Sequence, residues 1–195
     1  MVERFDRVRA GGVWHRRAMV SALTIFELDE MMARYASYET LAEIIRHRFA
    51  APKATLAELF GRLVFNILCG NTDDHARNHA AFWDGAVLSL TPAYDICPQL
   101  RSGGEAGQAM LIKGHVNLGK LSVALDAAPA FLLSRDKAMA LVKAQVAAIH
   151  ANWVAVCADA SLTAAERNIL RNGAFLRPFA FEGLDETFKA ELAAG

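Results

Sequence analysis

The sequence has no excess of positive or negative charge, no paired-cysteine motif and no long apolar run. Each absence argues against particular classes of protein. Lys plus Arg equals Asp plus Glu, at 21 each, which argues against nucleic acid as the main partner. Cys69, Cys97 and Cys157 form no Cys-x-x-Cys pair, which indicates thiols in a reducing compartment. There is no apolar run of about eighteen residues and no signal-peptide pattern, so we expect a soluble cytoplasmic protein without membrane contact.

Glycine-rich phosphate-binding runs are also missing. Neither a Gly-x-Gly-x-x-Gly nor a Walker-type segment occurs anywhere in the chain. The chain is rich in apolar residues, since 54% of its 195 residues are hydrophobic. That is enough for one sizeable domain with its own core.

The most polar stretch directly follows the most apolar one. Hydrophobic residues recur at three- and four-residue steps from Lys53 to Cys69, which predicts a buried helix. Gly70 is suited to end that helix, because glycine accepts the left-handed conformation. Residues 71–78, Asn-Thr-Asp-Asp-His-Ala-Arg-Asn, would then be a loop fixed to the core. Asp73 and Asn78 in it have four residues between them, the spacing of Asp and Asn in a protein-kinase catalytic loop.

A hairpin is predicted directly after this loop. Apolar residues flank Asp84-Gly85, a pair typical of a tight turn in which both positions need positive φ. Thr91-Pro92 would end the second strand and lead to Asp95. A kinase needs a second acidic metal ligand beyond a short hairpin, and Asp95 occupies that place.

Further helices are predicted on both sides of the hairpin. One is opened by Ser37 and ended by Pro52, and the longest runs from Ser134 to about Ala158. A capping box at residues 163–166 opens another, which should end at Gly173. Residues 97–107 are predicted to be a mobile loop, 108–113 a strand or extended segment, and the chain to end in a short charged tail. The totals predict a mainly α, single domain with one small β-hairpin.

Three segments, taken in order, resemble the HipA family of serine/threonine kinases, the toxin half of bacterial toxin–antitoxin pairs. They are residues 2–7 (Val-Glu-Arg-Phe-Asp-Arg), 71–78 and 90–95 (Leu-Thr-Pro-Ala-Tyr-Asp). The resemblance implies a protein-kinase C-lobe-like helical domain over residues 18–195, after a hinge-like segment over residues 1–17. Family members use ATP and Mg²⁺ to phosphorylate a protein hydroxyl, and a small DNA-binding antitoxin holds them in check.

The same resemblance implies roles for residues of the loop and beyond the hairpin. Asp73 would accept the proton of the substrate hydroxyl or orient that hydroxyl. His75, also a candidate catalytic residue, would contact phosphate or hold the loop. Asn78 and Asp95 would bind the nucleotide's Mg²⁺ through oxygen. Without the resemblance, Asp73 is better explained as a helix cap or Asx-turn.

Neighbouring residues complete the expected site. Glu3 and Phe5 would lie in the hinge that meets the adenine ring. Asp74 is expected to be a solvated loop charge, and Arg77 to pair with phosphate or with Asp74. Tyr94 is expected to pack rather than react.

A metal-dependent hydrolase is the weaker enzyme hypothesis. His75 and His79 are four apart, and on a helix this spacing can bind zinc. No Glu lies beside the first histidine to act as base, which counts against that hypothesis.

The chain departs from the family at its start. The hinge-like segment begins at Val2, so the β lobe that grips the phosphates, with its lysine, is not expected here. A fragment, a split kinase completed by another chain, and a degraded remnant all remain open. We therefore expect little kinase activity alone, and possible self-association where that lobe would dock. The alternative from another class is a protein-binding module without catalysis.

Overall fold

The computed structural model describes residues 4–100 and 103–193, which form a mainly helical domain with a small β part. The helices are α1 (Ala22–Ile25), α2 (Tyr38–Arg48), α3 (Pro52–Cys69), α4 (Leu121–Ala127), α5 (Arg135–Asp159), α6 (Ala164–Gly173) and α7 (Glu186–Ala193). The strands are β1 (Arg7–Ala10), β2 (Val13–Arg16), β3 (Met19–Ser21), β4 (Ala80–Trp83) and β5 (Leu88–Leu90). Short 3₁₀ helices cover Glu30–Tyr35, Ala76–Asn78, Ala128–Phe131 and Pro178–Phe181. The predicted fold class is confirmed.

Helix α3 is the centre of the core. It begins at Pro52, where a missing N–H costs nothing because the first turn has no partner for it. It packs against α2, α4 and α5 and buries ten residues, more than any other helix of the described ranges. Phe60 lies edge-on to Phe131 with ring centroids 5.3 Å apart. Each large apolar side chain buried in this way stabilises the fold by about 1.5–3 kcal/mol.

Gly70 ends α3 in the left-handed conformation, with a φ of 71°. Its neighbour across the fold is the backbone near Ala174, and a Cβ at Gly70 would lie 2.7 Å from the Ala174 carbonyl oxygen. The Leu176 N–H also donates to the Leu68 carbonyl, at 2.8 Å. The predicted helix end is confirmed, and glycine is required there by both φ and space.

Two small antiparallel sheets accompany the helices. Strands β3, β4 and β5 form one sheet in that order, with Ala81 between Val20 and Leu90. The predicted hairpin is confirmed as β4–β5, whereas β3 was not predicted. The predicted tight turn was wrong, because residues 84–87 connect the strands and only Gly85 has a positive φ, while Asp84 accepts the Ala86 and Val87 N–H groups. Strands β1 and β2 form a second, mostly exposed hairpin whose turn is Gly11-Gly12, both at positive φ. This second hairpin was not predicted from the sequence.

Most of the other predictions are confirmed, but α2 ends at Arg48 and not at Pro52, which instead begins α3. Ser37, Ser134 and Thr163 cap α2, α5 and α6, each by accepting a main-chain N–H. Residues 108–113 form an extended segment with isolated bridges rather than a strand. Residues 97–107 have no helix or strand among those described, and their mobility stays a prediction. Helices α4 and α7 were not predicted, and α7 replaces most of the expected charged tail.

Helix α5 is long and apolar enough, by length and composition, to cross a membrane. One such helix is weak evidence, because core helices pass the same test. Its residues Ala138, Val142 and Val146 are buried in the hydrophobic core. No other helix in the described part of the chain meets both criteria.

Candidate active site

The loop after α3 is fixed to the core before it reaches the candidate residues. The Asn71 main-chain N–H donates to the Asn66 carbonyl at 2.9 Å, and Asn71 Nδ2 donates to Asn66 Oδ1 at 3.0 Å. Both asparagines are buried. The Ala109 N–H donates to the Thr72 carbonyl at 3.1 Å. The position of Asp73 is thus set by the core helix and by the extended segment beside it.

Asp73 and Asn78 lie at the two ends of one hydrogen-bonded turn. The His75 N–H donates to the Asp73 carbonyl at 3.0 Å, and the Asn78 N–H donates to the His75 carbonyl at 2.8 Å. Asn78 Nδ2 donates to the same Asp73 carbonyl at 3.0 Å. A carbonyl only accepts, so the amide NH₂ of Asn78 faces Asp73 and Oδ1 is directed elsewhere.

This turn leaves two oxygen acceptors unused. The Asp73 side chain is exposed, and among the described residues its carboxylate receives no hydrogen bond. Asn78 is buried, yet no described donor reaches its Oδ1. The observed turn therefore depends on the Asp73 carbonyl rather than on its carboxylate, unlike an Asx-turn.

A buried network fixes the middle of the loop. Asp74 is 1% exposed. Its Oδ1 lies 2.8 Å from His79 Nε2, and its Oδ2 accepts from the Tyr38 hydroxyl. Tyr38 begins α2 and His79 immediately precedes β4, so Asp74 joins three parts of the fold. The expectation that Asp74 is a solvated charge was wrong, because two donors compensate its burial.

Burial fixes the role of the Tyr38 hydroxyl in this network. Burial, and then the charge of Asp74, raise the pKa of Tyr38 well above its ordinary value. The Tyr38 hydroxyl therefore remains a donor. His79 Nε2 lies 2.8 Å from Asp74 Oδ1 and 3.3 Å from the Tyr38 hydroxyl oxygen, so the three side chains form one connected group.

The segment that carries Asp95 is tied to α3 and to the loop. The buried Arg62 of α3 donates through Nη2 to the Thr91 carbonyl at 2.6 Å. The Tyr94 hydroxyl donates to the carbonyl of Arg77, within the turn described above. Asp95 follows, exposed and at a φ of 56°, a left-handed conformation that Asp tolerates better than most residues. The structure thus brings the Asp95 segment beside the Asp73–Asn78 turn.

Phe5 lies in the same neighbourhood. Its ring centroid is 5.7 Å from that of Tyr94 and 6.1 Å from that of Phe82 on β4. The Arg17 guanidinium lies 3.2 Å above the Phe82 ring. Tyr94 packs, as expected, and links Phe5 to the loop. Glu3 lies outside the described residues, so its predicted place in the hinge stays a prediction.

His75 and Arg77 make contacts that the sequence left open. His75 is half-buried, and its Nδ1 is buried without a hydrogen-bond partner in the described part of the protein. Arg77 pairs with Glu30, with Nη1 and Oε1 2.8 Å apart, and not with Asp74. Both side chains are therefore placed on the loop, and their proposed roles toward phosphate stay predictions.

The structure does not support the hypothesis that His75 and His79 bind zinc from one face of a helix. The loop is not an α-helix, since only Ala76–Asn78 forms a short 3₁₀ turn, so His75 and His79 do not share a helical face. His79 Nε2 is taken by Asp74. Across the described ranges, no three His, Cys, Asp or Glu side chains group as a metal site. Oxygen atoms of Asn78 and Asp95 are instead the donor type that Mg²⁺ prefers.

The chain folds as a mainly α domain with a small β part, and the polar loop follows its central helix. The chain belongs to the HipA-like C-terminal domain family, whose model matches residues 1–153. That match includes every residue of the candidate site.

Individual relatives agree with this membership. Two curated proteins are each named "Putative kinase": Y4mE of Sinorhizobium fredii, 30% identical over 109 residues, and a Haemophilus influenzae protein, 28% identical over 100 residues. Each alignment covers 49% of this chain, and 24% and 29% of the two relatives. A chain of the Shewanella oneidensis MR-1 complex of HipA, HipB and operator DNA matches with a TM-score of 0.63 at 19% identity. That match covers 98% of this chain and 45% of the other, and it concerns the fold alone.

Proposed function

We propose that this chain is the catalytic C-terminal part of a HipA-like serine/threonine protein kinase. The observation that carries the proposal is the Asp73–Asn78 turn, which holds a carboxylate and an amide oxygen unused beside the Asp95 segment. In phosphoryl transfer the protein forms no covalent bond of its own to the substrate in most kinases. The reaction requires a positioned hydroxyl and compensated phosphate charge, and these oxygens suit both needs.

Asp73 is the proposed base. Its exposed carboxylate would accept a hydrogen bond from the hydroxyl of a protein substrate and so point the oxygen lone pair at the γ-phosphate. The new oxygen–phosphorus bond forms while the bond from γ-phosphate to ADP breaks, and the hydroxyl proton passes to Asp73. The hydrogen bonds to the Asp73 carbonyl keep its backbone in place during this exchange.

Asn78 and Asp95 are the proposed ligands of Mg²⁺. The bound ion would neutralise charge on the β- and γ-phosphates of ATP. Asn78 contributes a neutral oxygen, already oriented because its NH₂ is held by Asp73. Asp95 contributes a carboxylate at the protein surface. His75 would support the loop or contact a phosphate, and both alternatives stay open.

The adenine is proposed to lie toward the N-terminal segment. The Phe5 ring beside Tyr94 offers an apolar surface there, and Glu3 is the proposed polar partner. The chain covers less than half the length of each of the three relatives named above. We propose that a further lobe, in the same polypeptide or another, grips the phosphates and that this chain alone transfers little phosphate.

We further propose a cytoplasmic toxin-like role with a DNA-binding antitoxin-like partner. Support comes from family membership and from the Shewanella complex, which contains HipA, HipB and operator DNA. The neutral net charge of this chain fits a protein partner better than direct nucleic-acid contact.

The test combines calorimetry of MgATP binding with a radiolabelled phosphate-transfer assay. The chain alone should bind MgATP weakly, because an open half-site buries little of the ligand. In an assembly that includes the phosphate-gripping lobe, transfer should appear and Asp73→Asn should reduce it by a factor of more than about 100. Asp159→Asn, an exposed position at the end of α5, is the matched control and should retain the rate. Full turnover by the Asp73→Asn variant would contradict the proposal and favour a binding module.

A further inference from the structure

A groove of about 770 Å³ lies between α5, α6, the segment after α6, and α7. None of the candidate kinase residues lines it. Most of its wall comes from residues 171–193, beyond residue 153 where the family match ends. Most of the groove therefore lies outside the segment that the family model matches.

Two guanidinium groups of this groove have no acidic partner. Arg171 and Arg177 both line it, and neither forms an ion pair with any acidic side chain in residues 4–100 or 103–193. Other charges nearby are compensated. Glu182 pairs with Lys120 at 2.8 Å, and Lys189 pairs with Glu186 at 2.7 Å. The uncompensated charge of the groove is thus positive and concentrated on the two arginines.

The Arg171 guanidinium is held by two neighbouring side chains, and one of its N–H donor groups has no hydrogen-bond partner among the described residues. Its Nη2 lies 3.1 Å from His150 Nδ1, and its guanidinium lies 5.4 Å from the centre of the Trp153 ring. Burial, and then the charge of Arg171, lower the pKa of His150, so the imidazole is neutral and Nδ1 accepts. Arg171 Nη1 is buried and meets no acceptor among the described residues. An unsatisfied buried donor is costly, so a carboxylate that accepted a hydrogen bond from a reoriented Arg171 guanidinium would remove that cost.

An apolar pocket of about 240 Å³ adjoins this charged centre. Phe175 lines both the groove and the pocket, and its ring centroid lies 5.0 Å from that of Trp153. Trp153 also carries Arg171 on its ring. Phe65 of α3 lines the pocket as well. A ligand whose acidic group meets Arg171 could therefore place an apolar group against Phe175.

We propose that this groove binds a short acidic peptide segment of a partner protein. Carboxylates of the peptide pair with Arg171 and Arg177, which suit bidentate recognition of carboxylate. A neighbouring aliphatic or aromatic side chain fills the pocket formed by Phe65, Trp153 and Phe175. A small inorganic anion would use the charge and leave the apolar pocket empty, and duplex nucleic acid would meet apolar walls. The proposal does not depend on the proposed kinase activity.

The experiment pans a phage-displayed random heptapeptide library against the full chain. Selected peptides should carry Asp or Glu next to a large apolar residue. The best one, labelled with fluorescein, should bind at least about 10-fold more weakly to the Arg171→Gln, Arg177→Gln double variant. Arg135→Gln is the control, because Arg135 is exposed and does not line the groove. Selection of peptides without acidic residues, or equal affinity for the double variant, would overturn the proposal.

Two further measurements test other ligands of the groove and avoid the risk that a variant is misfolded. Inorganic phosphate and a short DNA duplex are titrated against the labelled peptide. If phosphate displaces the peptide in the low millimolar range, or if the duplex binds more tightly than the peptide, the peptide proposal is overturned in favour of that ligand. On the unmodified chain, the selected peptide should shift the indole NMR signal of Trp153 and leave that of Trp83 unchanged. A shift of Trp83 alone would place the peptide elsewhere and contradict the assignment.

Discussion

The side-chain amide of Asn78 donates to the main-chain carbonyl of Asp73 at 3.0 Å. Together with two main-chain hydrogen bonds of the same turn, this bond sets the distance between the two residues whose spacing suggested a catalytic loop. It also orients Asn78 Oδ1 away from the turn. Asn78→Ala should lower the free energy of unfolding by about 1 kcal/mol through that lost bond. Urea denaturation followed by circular dichroism measures this change. Asn152→Ala, which removes an amide bonded to its own exposed helix, should cost less, and equal costs would contradict the assignment.

Adjacent aspartates should behave in opposite ways. Asp74→Ala removes the acceptor of two buried donors and should destabilise the fold by about 3 kcal/mol. Asp73→Ala changes an exposed side chain and should alter stability by no more than about 0.5 kcal/mol. Phosphate transfer in the assembled enzyme should be lost in Asp73→Ala. Comparable thermal midpoints for the two variants would show that the buried network does not hold the loop.

Gly70→Ala tests the end of α3. The substitution faces both the left-handed φ of 71° and a carbonyl oxygen 2.7 Å from the new Cβ. We expect a loss of about 2–4 kcal/mol, because the φ penalty alone is about 1 kcal/mol. Gly114→Ala is the matched control, since Gly114 has a φ of 54° and open space around its Cβ position. Equal losses in chemical denaturation would mean that close packing on Ala174 contributes nothing.

The thiol of Cys69 should resist alkylation in the native protein. Burial raises its pKa to about 11, so at pH 8 the folded protein keeps it protonated and enclosed. Exposed Cys97 should react with iodoacetamide first, as peptide mass spectrometry would show. In 8 M urea the Cys69 pKa returns toward about 8.5 and the thiol should react as well. Alkylation of Cys69 at the rate of Cys97 in the folded chain would contradict its burial.

Local signals predicted the frame of the site. Gly70 after a periodic apolar run, Asp84-Gly85 between apolar segments and the capping residue Thr163 each act within a few residues. A sequence window therefore contains all the physics that they need. Helix α7, which was not predicted, also has local signals of this kind. Asp185 caps the helix, and Phe188 lies one turn before Leu192.

Contacts between residues far apart in the sequence could not be predicted from such local signals. Tyr38 precedes Asp74 by 36 residues, and only the packing of α2 against α3 brings the hydroxyl to the carboxylate. A single charged side chain in a loop is usually solvated, so local reasoning misplaced Asp74. The pairing of β3 with β4 depends on the same kind of tertiary approach.

Paramagnetic broadening by Mn²⁺, a Mg²⁺ substitute, tests the central claim most directly. In the ¹⁵N-labelled chain, Mn²⁺ added with and without ATP should broaden the amide signals of Asn78 and Asp95 together. Asn78→Ala or Asp95→Asn should abolish this effect at both positions, whereas Asp159→Asn should not. Broadening of one position without the other, or broadening that survives both variants, would contradict a shared cation site and with it the proposed kinase chemistry.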